Sequence, residues 1–378
     1  MQGVMHSLKD ADLAGKRVIL RTSLNLPIDA DGRVGDLFRL ERTLPTLRYL
    51  LEQKAKIIIV GYIGRAGGTL RPVAEALQRL APSIPLTFTD VAVANAGPQV
   101  AALNEGECLM LENTRRDPRE ETNDDACAKE FAALADVFVS DAFAEAHRAY
   151  TSNCGVAKLL PHYAGLLLEE EVARLSQALT PPPDAIAIIG GAKFETKQPL
   201  LEKLLQLYPA ILLGGALAND MLKARGTPVG ISLVSSVPVP VSIAGDERII
   251  IPDDLIVEGA PGVSRTSHTA GVESQERIVD IGPATGALWA EKIAHAGFVL
   301  WNGPMGVYEH GYVAGTDALA EAIAGAKASA TLGGGDTAAA LGKFSFDPKR
   351  IFISTGGGAM LEFLANGGSL PGVDVLKN

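Results

Sequence analysis

Ile188-Ile189-Gly190-Gly191-Ala192-Lys193 is the stretch on which the reading of this chain turns: an apolar β-run that stops on paired glycines. The same phrase recurs downstream as LLGGALA (212–218), WNGPMG (301–306), LGGGDT (332–337) and STGGGA (354–359). A side chain of hydrogen lets backbone N–H groups close on phosphate oxygens, and a helix that follows offers its positive N-terminal end. One glycine pair after a strand marks an ordinary tight turn. Five in one half of a chain point to a nucleotide-phosphate site. The runs before the glycines, 185–189, 210–213, 297–300, 330–332 and 350–354, are apolar nearly throughout, as strands covered on both faces must be.

The first half repeats the alternation with a different ending. Strands are predicted over 17–21, 56–60, 107–111 and 136–140, with amphipathic helices over 39–53 and 120–134. Here the strands run into arginines: Arg21, Arg65, Arg115 and Arg148, with Arg39 opening a helix. Ligands of open parallel sheets bind beyond the strand carboxyl ends. A single arginine there is usually a solvated surface group, but several together form a site for a small, multiply charged anion. The predicted fold is α/β, two doubly wound parallel-sheet (Rossmann-like) domains joined by a hinge helix. A helix over 164–179 followed by Thr180-Pro181-Pro182-Pro183, where prolines stop the helix and stiffen the chain, supplies the joint. The expected domains are 1–168 and 184–366, with 169–183 as hinge helix and linker.

Bulk properties exclude several classes. The 378 residues are 47% hydrophobic and 21% charged, which suits a two-domain globular enzyme. Thirty-four basic against 44 acidic residues gives a net charge of −10, the wrong sign for a nucleic-acid binder. Cys108, Cys127 and Cys154 form no CxxC pair, so neither a zinc ribbon nor a disulfide framework is expected. The start MQGVMHSLKD lacks a signal pattern and no apolar run reaches membrane-spanning length. A cytoplasmic protein without membrane contact is the expectation. The chain has no GxxxxGK[ST] and no GxGxxG opening its first βα unit, which disfavours P-loop and dinucleotide schemes. Lys193 and Lys197 stand four apart at the first glycine turn, one helical turn from each other if a helix starts there. Asp336 follows three glycines at a helix start, where it serves equally as an N-cap or as a magnesium ligand.

VILRTSLNLP (18–27), the GR of GYIGR (61–65), LENTR (111–115), DAFAEAHRA (141–149), GGAKFETK (190–197), WNGPMGVYE (301–309), GGGDT (333–337) and STGGGAMLE (354–362) stand in the order and spacing of phosphoglycerate kinases. From about Arg17 to the closing LPGVDVL (370–376) the chain resembles that family. The resemblance implies a first lobe for 3-phosphoglycerate or 1,3-bisphosphoglycerate, a second for Mg²⁺ with ATP or ADP, and a tail, 367–378, returning to the first lobe. It implies a hinge-bending monomer that works in glycolysis. It implies that Ser23, Asn25, Arg39, Tyr62, Arg65, Arg115 and Arg148 meet the acid substrate, and that Arg39, Lys193 and Gly357 serve catalysis. Gly191, Lys193, Lys197, Gly214, Gly215, Asn302, Pro304, Val307, Glu309, Gly334, Gly335, Asp336 and Thr337 would border the nucleotide, with Asp336 on the metal. Glycines 191, 214, 215, 335, 356, 357 and 358 would give backbone donors and room.

Departures gather on the acid side. Where the family reads RVDFN this chain has Arg21-Thr22-Ser23-Leu24-Asn25, where it reads SHLGR the histidine is Tyr62, and the GTAHR block is Ala144-Glu145-Ala146-His147-Arg148. Glu145 puts a negative charge beside an anion site, a cost unless an arginine pairs with it. His147, although inside a motif, reads as structural. Two rivals remain: a kinase of the same chemistry on another carboxylate, and a weakly catalytic nucleotide-binding relative.

Overall fold

The structure, a computed structural model, describes residues 4–377, the side chain of Asp336 excepted. The chain forms two compact units, one running to Ala173 and taking in the return segment from Ser369, the other Arg174–Gly368.

The first unit is built on six parallel strands: β1 Arg17–Thr22, β2 Lys56–Val60, β3 Leu86–Phe88, β4 Cys108–Met110, β5 Val137–Asp141 and β6 His162–Ala164. Their order is β3-β4-β2-β1-β5-β6, so crossovers leave β1 in both directions and the sheet is doubly wound. Each neighbouring pair is parallel. Val18, Leu20, Ile57, Ile59 and Val139 pack into one cluster with Leu40, Leu47 and Leu50 of the helix Phe38–Glu52. Each such fully buried aliphatic side chain contributes about 1.5–3 kcal/mol. The closing segment belongs to this unit through backbone contacts, with the Gly372 amide donating to Ala146 O at 2.8 Å and Met5 bridging Lys377.

The helix predicted over 120–134 is shorter, Asp125–Ala132. Asn123 takes a left-handed φ of 54°, which breaks the helix, and Asp124 then caps the new start by accepting from the Cys127 amide at 2.8 Å. The strands β3 and β6 have three residues each and escape the sequence reading because so short a run shows no period.

Asp141 ends β5 and caps the helix Leu166–Ala178, its Oδ1 accepting from the amides of Leu167 and Leu168 at 3.0 and 3.2 Å. Burial pushes its carboxyl up to about 7, against hydrogen bonds from Thr46 and these amides that favour the anion. The folded state therefore holds a proton that the unfolded chain releases near pH 4. Stability contributed here is full below about pH 4, falls as pH rises to about 7, and is flat above. Asp141→Asn, which keeps the acceptor without the charge, is expected to remove that decline and to gain about 2–4 kcal/mol over the parent at pH 8. Denaturant unfolding at pH 5 and pH 8 measures it, and an unchanged slope would refute the assignment.

The second unit begins with β7 Ile186–Ile189, β8 Ala210–Leu213 and β9 Ile249–Ile250, continues through β10 Asp254–Ala260, β11 Val263–His268 and β12 Arg277–Ile281, and ends with β13 Phe298–Asn302, β14 Ser329–Gly333 and β15 Ile351–Ile353. The main sheet is parallel in the order β15-β14-β13-β7-β8-β9. Trp289 and Trp301 are sealed in its core. The sequence reading lacks the three-stranded antiparallel sheet β11-β10-β12. Its one local sign is the two-residue Pro261-Gly262 turn, where Gly262 adopts φ +76°. The parallel strands expected here fall within two residues of their predicted ends, and the two-residue β9 was not expected. Among the described residues no helix is long and apolar enough to cross a membrane.

Candidate active site

In the first unit, hydrogen bonds join the strand-end residues into one continuous chain. Arg39 Nη1 donates to Asn25 O at 2.8 Å, and the Gly64 amide donates to Asn25 Oδ1 at 2.9 Å. Arg115 Nη1 donates to Gly64 O at 2.5 Å and its Nη2 to the Tyr150 hydroxyl at 2.8 Å. Arg148 Nη1 reaches the same hydroxyl at 2.9 Å. Tyr150 in turn donates to Glu121 Oε1 at 3.1 Å. Arg65, next to Gly64, is exposed, and its carbonyl is held by Asn113 Nδ2 at 3.1 Å. Thus Arg39, Arg115 and Arg148, three of the four arginines assigned to the acid, are tied by their own side chains, and Arg65 is placed by the turn.

Tyr62 is buried beneath them, with the Arg115 guanidinium 3.8 Å from its ring centroid, a cation–π seat that orients the fork. Burial, then the Glu145 charge, push the Tyr62 phenol above its ordinary range, while Arg148, Arg21 and Arg115 pull it down. Tyr150 and Glu121 went unnoticed in the sequence because neither lies in a strand-end motif with a charge pattern of its own.

Arg21 does not join this edge. Its side chain is 0% exposed, donating to Ser152 Oγ at 2.9 Å and Thr22 O at 2.6 Å. Glu145 lies 3.9 Å from it and accepts from Ser23 Oγ at 2.6 Å. The carboxylate that looked costly beside an anion site is thus neutralised inside the unit. Ser23, itself buried, spends its one hydrogen on it.

In the second unit the glycine loops crowd one another. Gly215, at φ +61°, would place a Cβ 2.5 Å from Gly191 N, and Gly303, at φ +93°, would place one 2.3 Å from Gly190 O. Neither tolerates any side chain. The amides of Gly191, Gly214 and Gly215 already donate to Pro304 O, Ile189 O and Met305 O at 3.0, 2.9 and 3.0 Å. These three glycines therefore give room but not donors, a correction to the sequence reading. Gly356 likewise donates to Ser354 Oγ at 3.1 Å.

Among the described residues, the open donors stand at two helix starts instead. Gly335 and Gly357 begin the helices Gly335–Leu341 and Gly357–Ala365, whose first-turn amides have no partner within the helix. A Cβ on Gly357 would lie 3.3 Å from Gly335 N and 3.7 Å from Gly334 Cα, so the two positive ends converge. Gly334, at φ +115°, forms the turn before the first of them. Thr337 Oγ1 accepts from the Gly303 amide at 2.8 Å, and Asn302 Nδ2 donates to Gly333 O at 2.9 Å. Asp336 occupies the second position of its helix, but its side chain lies outside the described residues, and with it the metal-ligand expectation.

Lys193 and Lys197 do not share a helical face. The helix Phe194–Leu204 starts after Lys193, which is exposed and left-handed at φ 66°, ψ 78°. Lys197 lies within the helix, buried, and its Nζ donates to Asn302 Oδ1. A cavity of about 220 Å³ opens beside these loops, lined by Gly191, Gly215, Pro304, Val307 and Glu309 together with Asn219, Leu255 and Asp280. Burial pushes the Asp280 carboxyl up to about 6, against bonds from the Gly315 and Ile281 amides.

A sequence model of the family described as phosphoglycerate kinase matches residues 8–367. Phosphoglycerate kinases from Chloroflexus aggregans and Thermomicrobium roseum are each 41% identical, the first covering 98% of both chains, the second 98% of this chain and 99% of its own. Among solved structures, phosphoglycerate kinase from Coxiella burnetii superposes with a TM-score of 0.81 at 36% identity over 99% of this chain and 98% of its own. That from Pyrococcus horikoshii does so at 0.87 and 31% over 98% of each. Likeness of this extent, running through both units, makes the chain a phosphotransferase that belongs to the phosphoglycerate kinase family.

Proposed function

We propose that the enzyme transfers a phosphoryl group between 1,3-bisphosphoglycerate and ADP, giving 3-phosphoglycerate and ATP, with Mg²⁺ entering as part of the nucleotide substrate. The observation that carries this reading is the hydrogen-bonded run Arg39–Asn25–Gly64–Arg115–Tyr150–Arg148, a rigid bank of guanidinium forks. Forks suit a ligand with a phosphate at one end and a carboxylate at the other. We assign the acid to Arg39, Arg65, Arg115 and Arg148 together with Asn25 and Tyr62, while the hydroxyl of Ser23 is committed to Glu145. The nucleotide goes to the second unit, with Lys197 on its phosphates, Glu309 on the ribose, and Pro304 and Val307 along its side. Asp336 is assigned to the magnesium. The joined starts at Gly335 and Gly357 receive the transferred group.

Phosphoryl transfer requires in-line placement and cancellation of charge on the moving group rather than a protein nucleophile. Arg39 and Lys193 supply full positive charges and the Gly357 amide a partial one. His147 needs no role as a base, because the ADP β-phosphate is already ionised, and its Nε2 accepts from Arg148 Nε at 3.2 Å. The two bound substrates must meet with water excluded. Three free, buried cysteines agree with a reducing, cytoplasmic setting, and we take the working form to be a monomer.

A coupled assay with ATP, magnesium and 3-phosphoglycerate tests the proposal. Turnover that requires all three is expected. Tight Mg·ADP binding without transfer, or higher kcat/KM on a different carboxylate in a panel of related acids, would overturn it.

A further inference from the structure

Lys193 is held in its unusual backbone state by residues far away in sequence. Among the described residues only Lys54, Asn123 and Lys193 are non-glycine with positive φ, and such states persist only where the surroundings over-determine them. The peptide unit joining Lys193 to Phe194 is gripped at both ends. Its N–H donates to Ser235 Oγ at 2.9 Å. Its carbonyl, Lys193 O, accepts from the Thr196 amide at 3.1 Å and Thr196 Oγ1 at 2.9 Å. With both ends fixed, the plane that defines Lys193 ψ cannot turn.

Ser235 is itself oriented. Its hydroxyl donates to Asp220 Oδ2 at 2.9 Å and its amide to Asp220 Oδ1 at 2.6 Å. Asp220 is 5% exposed, on the helix Gly215–Ala224 that follows the second glycine turn. An ionised carboxylate only accepts, so the one hydroxyl hydrogen of Ser235 is committed to it and a lone pair faces Phe194 N. The result is a directed chain from the peptide unit through a hydroxyl to a buried carboxylate.

We propose that Ser235 and Asp220 are positioning residues for Lys193, clamping the 193–194 peptide so that the ammonium is presented to the group being transferred. The inference rests on the proposed catalytic role of Lys193. It adds two residues that act through the Lys193 peptide.

The test uses the full-length enzyme with magnesium, ATP and 3-phosphoglycerate. Ser235→Ala is expected to lower kcat about 10²-fold, the usual cost of a displacement near 1 Å, with KM for ATP within about threefold of the parent. Ser235→Thr, which keeps the hydroxyl, is expected to restore most of the rate. In a Lys193→Ala background, Ser235→Ala is expected to cost less than about twofold more, since its effect runs through the missing ammonium. Asp220→Asn, whose amide can donate to the hydroxyl and turn it around, should lower kcat by about tenfold and gives a second variant should Ser235→Ala fold poorly. An inactive Lys193→Ala beside Ser235→Ala and Asp220→Asn variants of normal kcat would overturn this inference alone. Equal losses from Ser235→Ala with and without Lys193 would do the same. An active Lys193→Ala would instead defeat the proposed role of Lys193.

Discussion

Lys193→Ala is expected to lower kcat by about 10²–10³-fold, leaving KM for ATP nearly unchanged. A single preorganised donor aimed at developing charge contributes about 3–4 kcal/mol to the transition state, and we assign that work to this ammonium. The change should be silent in the fold for two reasons. The side chain is exposed, so truncation leaves no cavity. Alanine in the left-handed region carries the same Cβ penalty as lysine, so backbone strain is conserved. Lys197 makes the informative contrast. It is buried and bonded to Asn302, so Lys197→Ala should lower thermal stability as well as nucleotide affinity. Steady-state kinetics with a thermal unfolding curve for each variant separates the two. Should Lys193→Ala keep kcat within tenfold of the parent, the assignment of its role is wrong.

Glu145→Ala should produce the largest loss of stability, about 3–5 kcal/mol, because among the described residues it removes the only carboxylate within ion-pair distance of the fully buried Arg21. A charge already sealed from water cannot recover its hydration, so what is lost is compensation rather than one contact. Ser23 loses its acceptor in the same step, adding a cost near 1 kcal/mol. Glu145→Gln, which retains an acceptor for Ser23, should lose less. Both tryptophans, Trp289 and Trp301, lie in the second unit, so their fluorescence does not report this site. Peptide-resolved hydrogen exchange does, and protection should fall in β1 and β5 while β7 and β13 keep theirs. Unchanged exchange in β1 would mean that Ser152 and Thr22 alone suffice to hold Arg21.

These two residues also mark where reading the sequence stops. Five glycine turns after apolar runs announced the second unit, and the arginines after β2 and β4 announced an anion site, because both signals are local in the chain. Yet Arg21 and Arg115 look alike in sequence, each near the end of a strand. One is sealed and the other seated on Tyr62. The difference comes from Ser152 and Glu145, more than a hundred residues from Arg21, which no window along the chain brings together. The same holds for Lys193 and Lys197, which spacing alone put on one face. The helix starts after Lys193 because that residue is left-handed, a state that Ser235, 41 residues away from Phe194, helps to hold through the Phe194 amide.

What the sequence determined by itself is the alternation of buried strands and amphipathic helices, the polarity of each strand end, and through its ordered blocks the family. Those follow from the bonded neighbourhood, since a strand buried on both faces must be apolar along its own length. What only the tertiary structure decided is which polar group each charge answers to: that Glu145 is neutralised by Arg21, that Gly191 and Gly215 clear space while Gly335 and Gly357 hold the open amides, and that Lys193 is clamped from afar. Hydrogen bonds and ion pairs act across a few ångströms of space whatever the separation in sequence, so their partners exist only once the chain has closed on itself.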